Sequence, residues 1–104
     1  MLHINDLRNL CHDEYIAITK HAKIRLAERV ITIEDIKNAI GTGEIIKQYE
    51  DDKPFPSCLV LGLTEQNTYI HIVASIDNSY LYIITAYYPD ANDWEIDLKT
   101  RKEH

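Results

Sequence analysis

His21, Arg25 and Arg29 follow one another at intervals of four in the stretch KHAKIRLAER, with Glu28 beside the last of them. On an α-helix, residues at i, i+4 and i+8 form one ridge. A neutral imidazole next to a fixed guanidinium suits a general base working near a phosphate: the imidazole takes a proton, and the planar fork holds the anion. His21 falls in the first turn of such a helix, where the positive end of the helix dipole disfavours imidazolium. Lys20 adds to the local charge. Residues 20–29 hold four of the eleven Lys and Arg and sum to +3, in a chain of net charge -6. The ridge is either an ordinary solvated helix face, with Arg25 and Arg29 paired to Glu28 or to acids elsewhere, or a site that grips an anion.

Acid–base chemistry needs a second polar group, and the strand-like run YIHIVAS offers one. Ile70, Ile72 and Ala74 share one face of it, and Tyr69, His71, Val73 and Ser75 share the other. If the Ile face meets the helices, His71 either looks out from the open side of the sheet or is a satisfied core histidine. Thr85, Tyr87 and Tyr88 on the next strand offer hydroxyls or stacking surface. Seven tyrosines against one Phe and one Trp suit surfaces that are half apolar and half wet, nucleobase platforms and exposed strands alike. Lys47 and Tyr49 share a face on an earlier strand. His3, His12, His21, His71 and His104 show no paired spacing of the HxxxH or CxxC kind, so neither a metal nor a cofactor is expected. No glycine-rich phosphate loop, GxSxG or Cys/His pair is present. Cys11 and Cys58 read as two buried thiols.

The elements that position these residues follow from periodicity. With 104 residues, 45% hydrophobic and 27% charged, the chain fits one domain and is not of disordered composition. Ile4, Leu7, Leu10 and Cys11 space a short amphipathic helix. EYIAI looks extended. Thr19 caps a helix over roughly 20–30, whose packing side is Ala22, Ile24, Leu26, Ala27 and Val30. Thr32 caps a third helix, with Asp35 at N3 and Ile31 stapled against Ile36. Gly41 and Gly43 stand where a helix C-terminus wants a residue free to take positive φ. EIIKQYE, SCLVLGLT, TYIHIVASI and YLYIITAYY are strands by their β-branched and aromatic content. The expected architecture is α+β. Two or three helices over about 1–42 pack on a four-stranded antiparallel meander over about 44–89, and a tail or short helix covers 90–104. No apolar run reaches the ~20 residues of a membrane span, and the N-terminus lacks a signal peptide's pattern. The expected location is cytoplasmic, with no membrane partner.

The segments ITKHAKIRLAERVITIEDIKNAIGTGEII, PFPSCLVLGL, YIHIVAS and YIITAYYPDANDW resemble the small bacterial family catalogued as domain of unknown function 4258. The resemblance spans roughly residues 16–101. It rests most on His21, Arg25, Glu28 and Arg29, on the Gly43-Glu44 step, and on the ITAYYP run ending at Pro89. It implies a RelE-like, barnase-related fold and the role of a toxin, an endoribonuclease acting on mRNA, beside a zinc-finger protein that resembles an antitoxin. On that implication His21 and Arg25 sit on the motif, and Arg29, His71, Thr85 and Tyr88 are plausible additions. His21 and His71 would share the acid–base work with Tyr88 in reserve, and Lys20, Arg29, Thr85 and Tyr87 would hold substrate. An acidic chain grips RNA only locally, at the 20–29 segment or near Lys99, Arg101 and Lys102. The competing expectation is a non-catalytic protein-interaction module whose acidic surface meets a basic partner.

Overall fold

The computed structural model describes residues 1–103, so His104 of the histidine set lies outside the described residues. In chain order the elements are α1 (Ile4–Asn9), a 3₁₀ turn (Asp13–Tyr15), β1 (Ile16–Ile18), α2 (Lys20–Glu28), α3 (Ile33–Thr42), β2 (Glu44–Tyr49), β3 (Ser57–Leu63), β4 (Tyr69–Asp77) and β5 (Tyr80–Tyr87). The class is α+β, as expected. The sheet, however, has five strands in the order β1-β5-β4-β3-β2, not four. Strands β2 to β5 form the antiparallel meander, while β1 adds to the outer side of β5 in parallel, pairing Ile16 with Leu81 and Ile18 with Ile83. Its apolar side chains, half-buried against the core, hold it there.

Helix α2 is shorter than the expected 20–30. Thr19 caps it, its hydroxyl accepting from the Ala22 N–H at 3.1 Å. The other end closes on Ile31 N–H to Leu26 O at 2.9 Å and Val30 N–H to Ala27 O at 3.2 Å. That double bond pattern needs a left-handed residue, and Val30 supplies it at φ 55°. Val30 therefore leaves the helix and is 77% exposed. The packing side reduces to Ala22 and Leu26, because Ile24 and Ala27 also face solvent.

In α3 the capping box is complete: the Thr32 hydroxyl accepts from Asp35 N–H, and the Asp35 carboxylate accepts from Thr32 N–H. Its other oxygen accepts from Glu65 N–H at 3.1 Å, tying the helix to the β3–β4 turn. Burial pushes the Asp35 carboxyl up, but these bonds outweigh it and hold it below the ordinary range. Gly41 lies inside α3, and Gly43 after it does a different job from the one expected. No glycine has positive φ. Gly43 is extended, and a Cβ there would stand 2.4 Å from the Leu61 carbonyl oxygen. A Cβ on Gly62 would stand 2.1 Å from the Ala39 oxygen. Both are glycine because α3 and β3 approach backbone to backbone.

All three helices pack on one face of the sheet. There Leu7, Leu26, Ile36 and Ile40 enclose Val60, Ile70, Ile72, Leu81 and Ile83. The opposite, outward face is partly covered by the tail after Pro89, which forms no helix. It folds back on itself through a Trp94–Arg101 bridge.

Candidate functional site

The α2 ridge divides into an anchored end and a free end. Arg29, half-buried, donates to the Ala86 carbonyl at 2.7 Å and to the Thr85 hydroxyl at 3.4 Å. It satisfies the edge of β5 just where β1 has ended, and it joins two of the residues singled out as substrate contacts. Lys20, His21 and Arg25 are exposed, and among the described residues their side chains make no hydrogen bond or ion pair. Glu28, one turn from Arg25, pairs with neither arginine. The elementary alternative to an anion site, cations spent on neighbouring acids, is thus not realised for these three.

His71 has a different fate. It is fully buried on the outward face, stacked edge-on against Trp94 at 4.5 Å between ring centroids. Its Nε2 lies 2.7 Å from the Leu98 carbonyl oxygen and its Nδ1 3.3 Å from the Tyr87 hydroxyl. A carbonyl only accepts, so Nε2 carries the proton and Nδ1 accepts from Tyr87. Burial lowers the His71 pKa, and the bond to Leu98 opposes that only in part. Burial likewise raises that of Tyr87. This is a satisfied histidine under the tail. Lys99 ion-pairs with Glu44 at the start of β2, and Arg101 lies over the Trp94 ring at 5.6 Å, completing the clasp.

His21 and His71 are consequently not partners. Leu26 of α2 packs with Ile70 and Ile72, on the face away from His71. The paired-histidine mechanism fails on that separation, and Tyr87 is withdrawn along with His71. Tyr88, just past the end of β5, remains 43% exposed. Lys47 stands over the Tyr49 ring at 5.4 Å, a local contact on the sheet border. No group of three His, Cys, Asp or Glu able to hold a metal occurs among the described residues. Nor is any helix among them long and apolar enough to cross a membrane.

Sequence reasoning passed over a cleft of about 430 Å³ on the outward face, between the 52–55 loop and the far ends of β4 and β5. Thr19, the N-cap of α2, is among the residues that line it. The strand alternation that placed His71 outward also places Ser75, Asp77 and Tyr82 outward. What it could not show is the loop that folds over them.

No curated protein and no solved structure matches the chain significantly. One family model does, over residues 18–88, a span that contains α2 with its ridge, α3 and all four meander strands. The chain belongs to the family described as a domain of unknown function, DUF4258.

Proposed function

We propose that this protein is a toxin-like endoribonuclease of RelE-like architecture that cleaves RNA without a metal, working from the free end of α2. One observation carries the reading. In a chain of net charge -6, three neighbouring cationic or titratable side chains, Lys20, His21 and Arg25, stay exposed and, among the described residues, unpaired. A solvated phosphate diester supplies what the chain's own acids do not. Arg29, locked to β5, fixes the helix that presents them. The partner that restrains such an activity would be a zinc-finger antitoxin-like protein.

The step needs only side chains. His21 takes the proton from a ribose 2′-OH as that oxygen attacks the adjacent phosphorus. The bond to the 5′-oxygen breaks, leaving a 2′,3′-cyclic phosphate, and the departing oxygen takes a proton from Tyr88 or from water. Arg25 and Lys20 stabilise charge on the phosphoryl oxygens. Induced expression of the wild-type chain should arrest growth and translation. His21→Ala and Arg25→Ala, folded by circular dichroism, should be tolerated. Harmless wild-type protein at high level would sink this reading. It would leave the interaction-module alternative, for which β2 is the candidate border: among the described strands it pairs with β3 alone, and Gln48 on it holds Leu2.

A further inference from the structure

The cleft on the outward face is acidic, aromatic and held in shape by buried hydroxyls. Ser75 and Tyr82, register partners on β4 and β5, line its sheet side, and Ser57 pairs with Ser75 from β3. Both serines are buried, and both pin the loop opposite. The Ser75 hydroxyl donates to the Pro56 carbonyl at 2.7 Å, and the Ser57 hydroxyl to an Asp52 oxygen at 2.7 Å. Phe55 and Ile84, 39% and 38% exposed, and half-buried Tyr82 supply rings and apolar wall. Asp52 and Asp77 supply carboxylates. The second Asp52 oxygen accepts from Lys53 N–H at 3.0 Å. Asp77 is half-buried, and among the described residues its carboxylate accepts no hydrogen bond and joins no ion pair. Lys53 also lines the cleft, but it is exposed and pairs with neither carboxylate. Glu50 and Asp51 extend the acidic run just before it. At about 430 Å³ the cleft lies within the usual range for small binding sites.

We infer that this cleft docks an arginine side chain of a partner protein. Such a dock deepens the interaction-module alternative and stands apart from the α2 row, so it does not depend on the ribonuclease reading. The occupant is a cation, because a half-buried carboxylate without a partner gains most from an opposite charge. It is also flat and weakly hydrated, because the walls offer rings and apolar surface. A guanidinium meets both demands: it stacks on aromatic rings and donates two parallel N–H bonds to one carboxylate. An ammonium is a compact, strongly hydrated charge and gains less from such walls. A calcium ion takes about six or more oxygen ligands, which two carboxylates among apolar side chains do not supply. A protein chain is the source because a free amino acid would set its own carboxylate against Asp51 and Asp52. An arginine within a chain brings none. With the loop already pinned, docking costs little ordering of the cleft itself.

The test is titration of the full chain with the tripeptide acetyl-Gly-Arg-Gly-amide, followed by backbone amide shifts. The same tripeptide with lysine or citrulline at its centre, and free arginine, are titrated beside it. Citrulline keeps the shape of arginine and loses the charge. The arginine tripeptide should move the amides of Phe55, Asp77 and Tyr82 and bind about tenfold more tightly than the citrulline one. It should also bind more tightly than the lysine tripeptide or free arginine, and less tightly as salt is raised. Asp77→Asn should weaken it about tenfold while leaving the rest of the amide spectrum in place. Phe55→Ala should narrow its lead over lysine. Equal binding of the arginine and citrulline tripeptides, or shifts confined to other surfaces, would overturn the assignment. So would tighter binding of free arginine, which would make the cleft a small-molecule site, or of a short single-stranded RNA at these same amides. A protein that docks the tripeptide and cuts no RNA keeps the dock and loses the ribonuclease. One that cuts RNA and ignores the tripeptide does the reverse.

Discussion

Two polar regions of this molecule obey opposite rules. Under the tail, both nitrogens of His71 have partners, its ring is walled by Trp94 and Tyr87, and no water reaches it. Along α2, Lys20, His21 and Arg25 reach into solvent, with no partner among the described residues. The first arrangement spends its polarity on stability, because a buried donor or acceptor without a partner costs about 1–3 kcal/mol. The second contributes little to the fold. A histidine's candidacy for chemistry therefore depends less on its neighbours in sequence than on whether the fold has already used its nitrogens. His71 is used; His21 is free.

The comparison breaks most visibly at Trp94, which is 7% exposed and caps the closed region. Trp94→Ala should cost about 3 kcal/mol in urea or thermal unfolding, in line with large-to-small changes in packed sites. It should also expose the His71 ring, which imidazole proton signals would report. A loss below about 1 kcal/mol would mean that the tail is a loose cover.

A smaller effect comes from pH. Burial lowers the His71 pKa in the folded protein relative to its ordinary 6.5. Above that ordinary value neither state is protonated, and the histidine's contribution is intact. As pH falls through about 6.5 the unfolded chain takes up a proton that the folded one resists, so stability declines. The decline levels off once the pH is below the folded pKa. Unfolding midpoints measured from pH 8 to pH 4.5 should show a steeper loss in the wild type than in His71→Leu. Parallel curves would mean that the ring is not held neutral by its surroundings.

How much of this was legible in the sequence divides along the same line. Local signals were readable: the Thr19 cap, the Thr32–Asp35 box and the four meander strands all stand close to where periodicity put them. Contacts far apart in the chain were not. EYIAI looks extended from its sequence, but only the pairing of Ile16–Ile18 with β5 makes it a fifth strand. Val30 continues the apolar period of α2, yet the left-handed turn that sends Ile31 into the core takes it out of the helix. Gly43 and Gly62 gave no hint that they mark the close approach of α3 to β3. Alternation set His71 on the face opposite Ile70 and Ile72 but left open whether it looks out or is satisfied; the cover that decides this comes from Trp94 and Leu98, more than twenty residues on. The 52–55 loop that completes the cleft was invisible for the same reason.

The sharpest form of the comparison lies within one helix. Arg25 and Arg29 are the same residue type one turn apart, and among the described residues only Arg29 has partners, the Ala86 carbonyl at 2.7 Å and the Thr85 hydroxyl. Arg29→Ala should cost roughly 1–2 kcal/mol, since it unpairs a strand-edge carbonyl and removes a charge-assisted bond. Arg25→Ala and His21→Ala should each change stability by no more than about 0.5 kcal/mol, the usual range for surface substitutions away from special features. Chemical denaturation of the three variants separates the outcomes. If Arg25→Ala destabilises as much as Arg29→Ala, then Arg25 is part of the scaffold. The free end of α2 would then lose its claim as a place where an anion binds. If it does not, any loss of growth arrest in that variant reports a missing contact with substrate rather than a weakened fold.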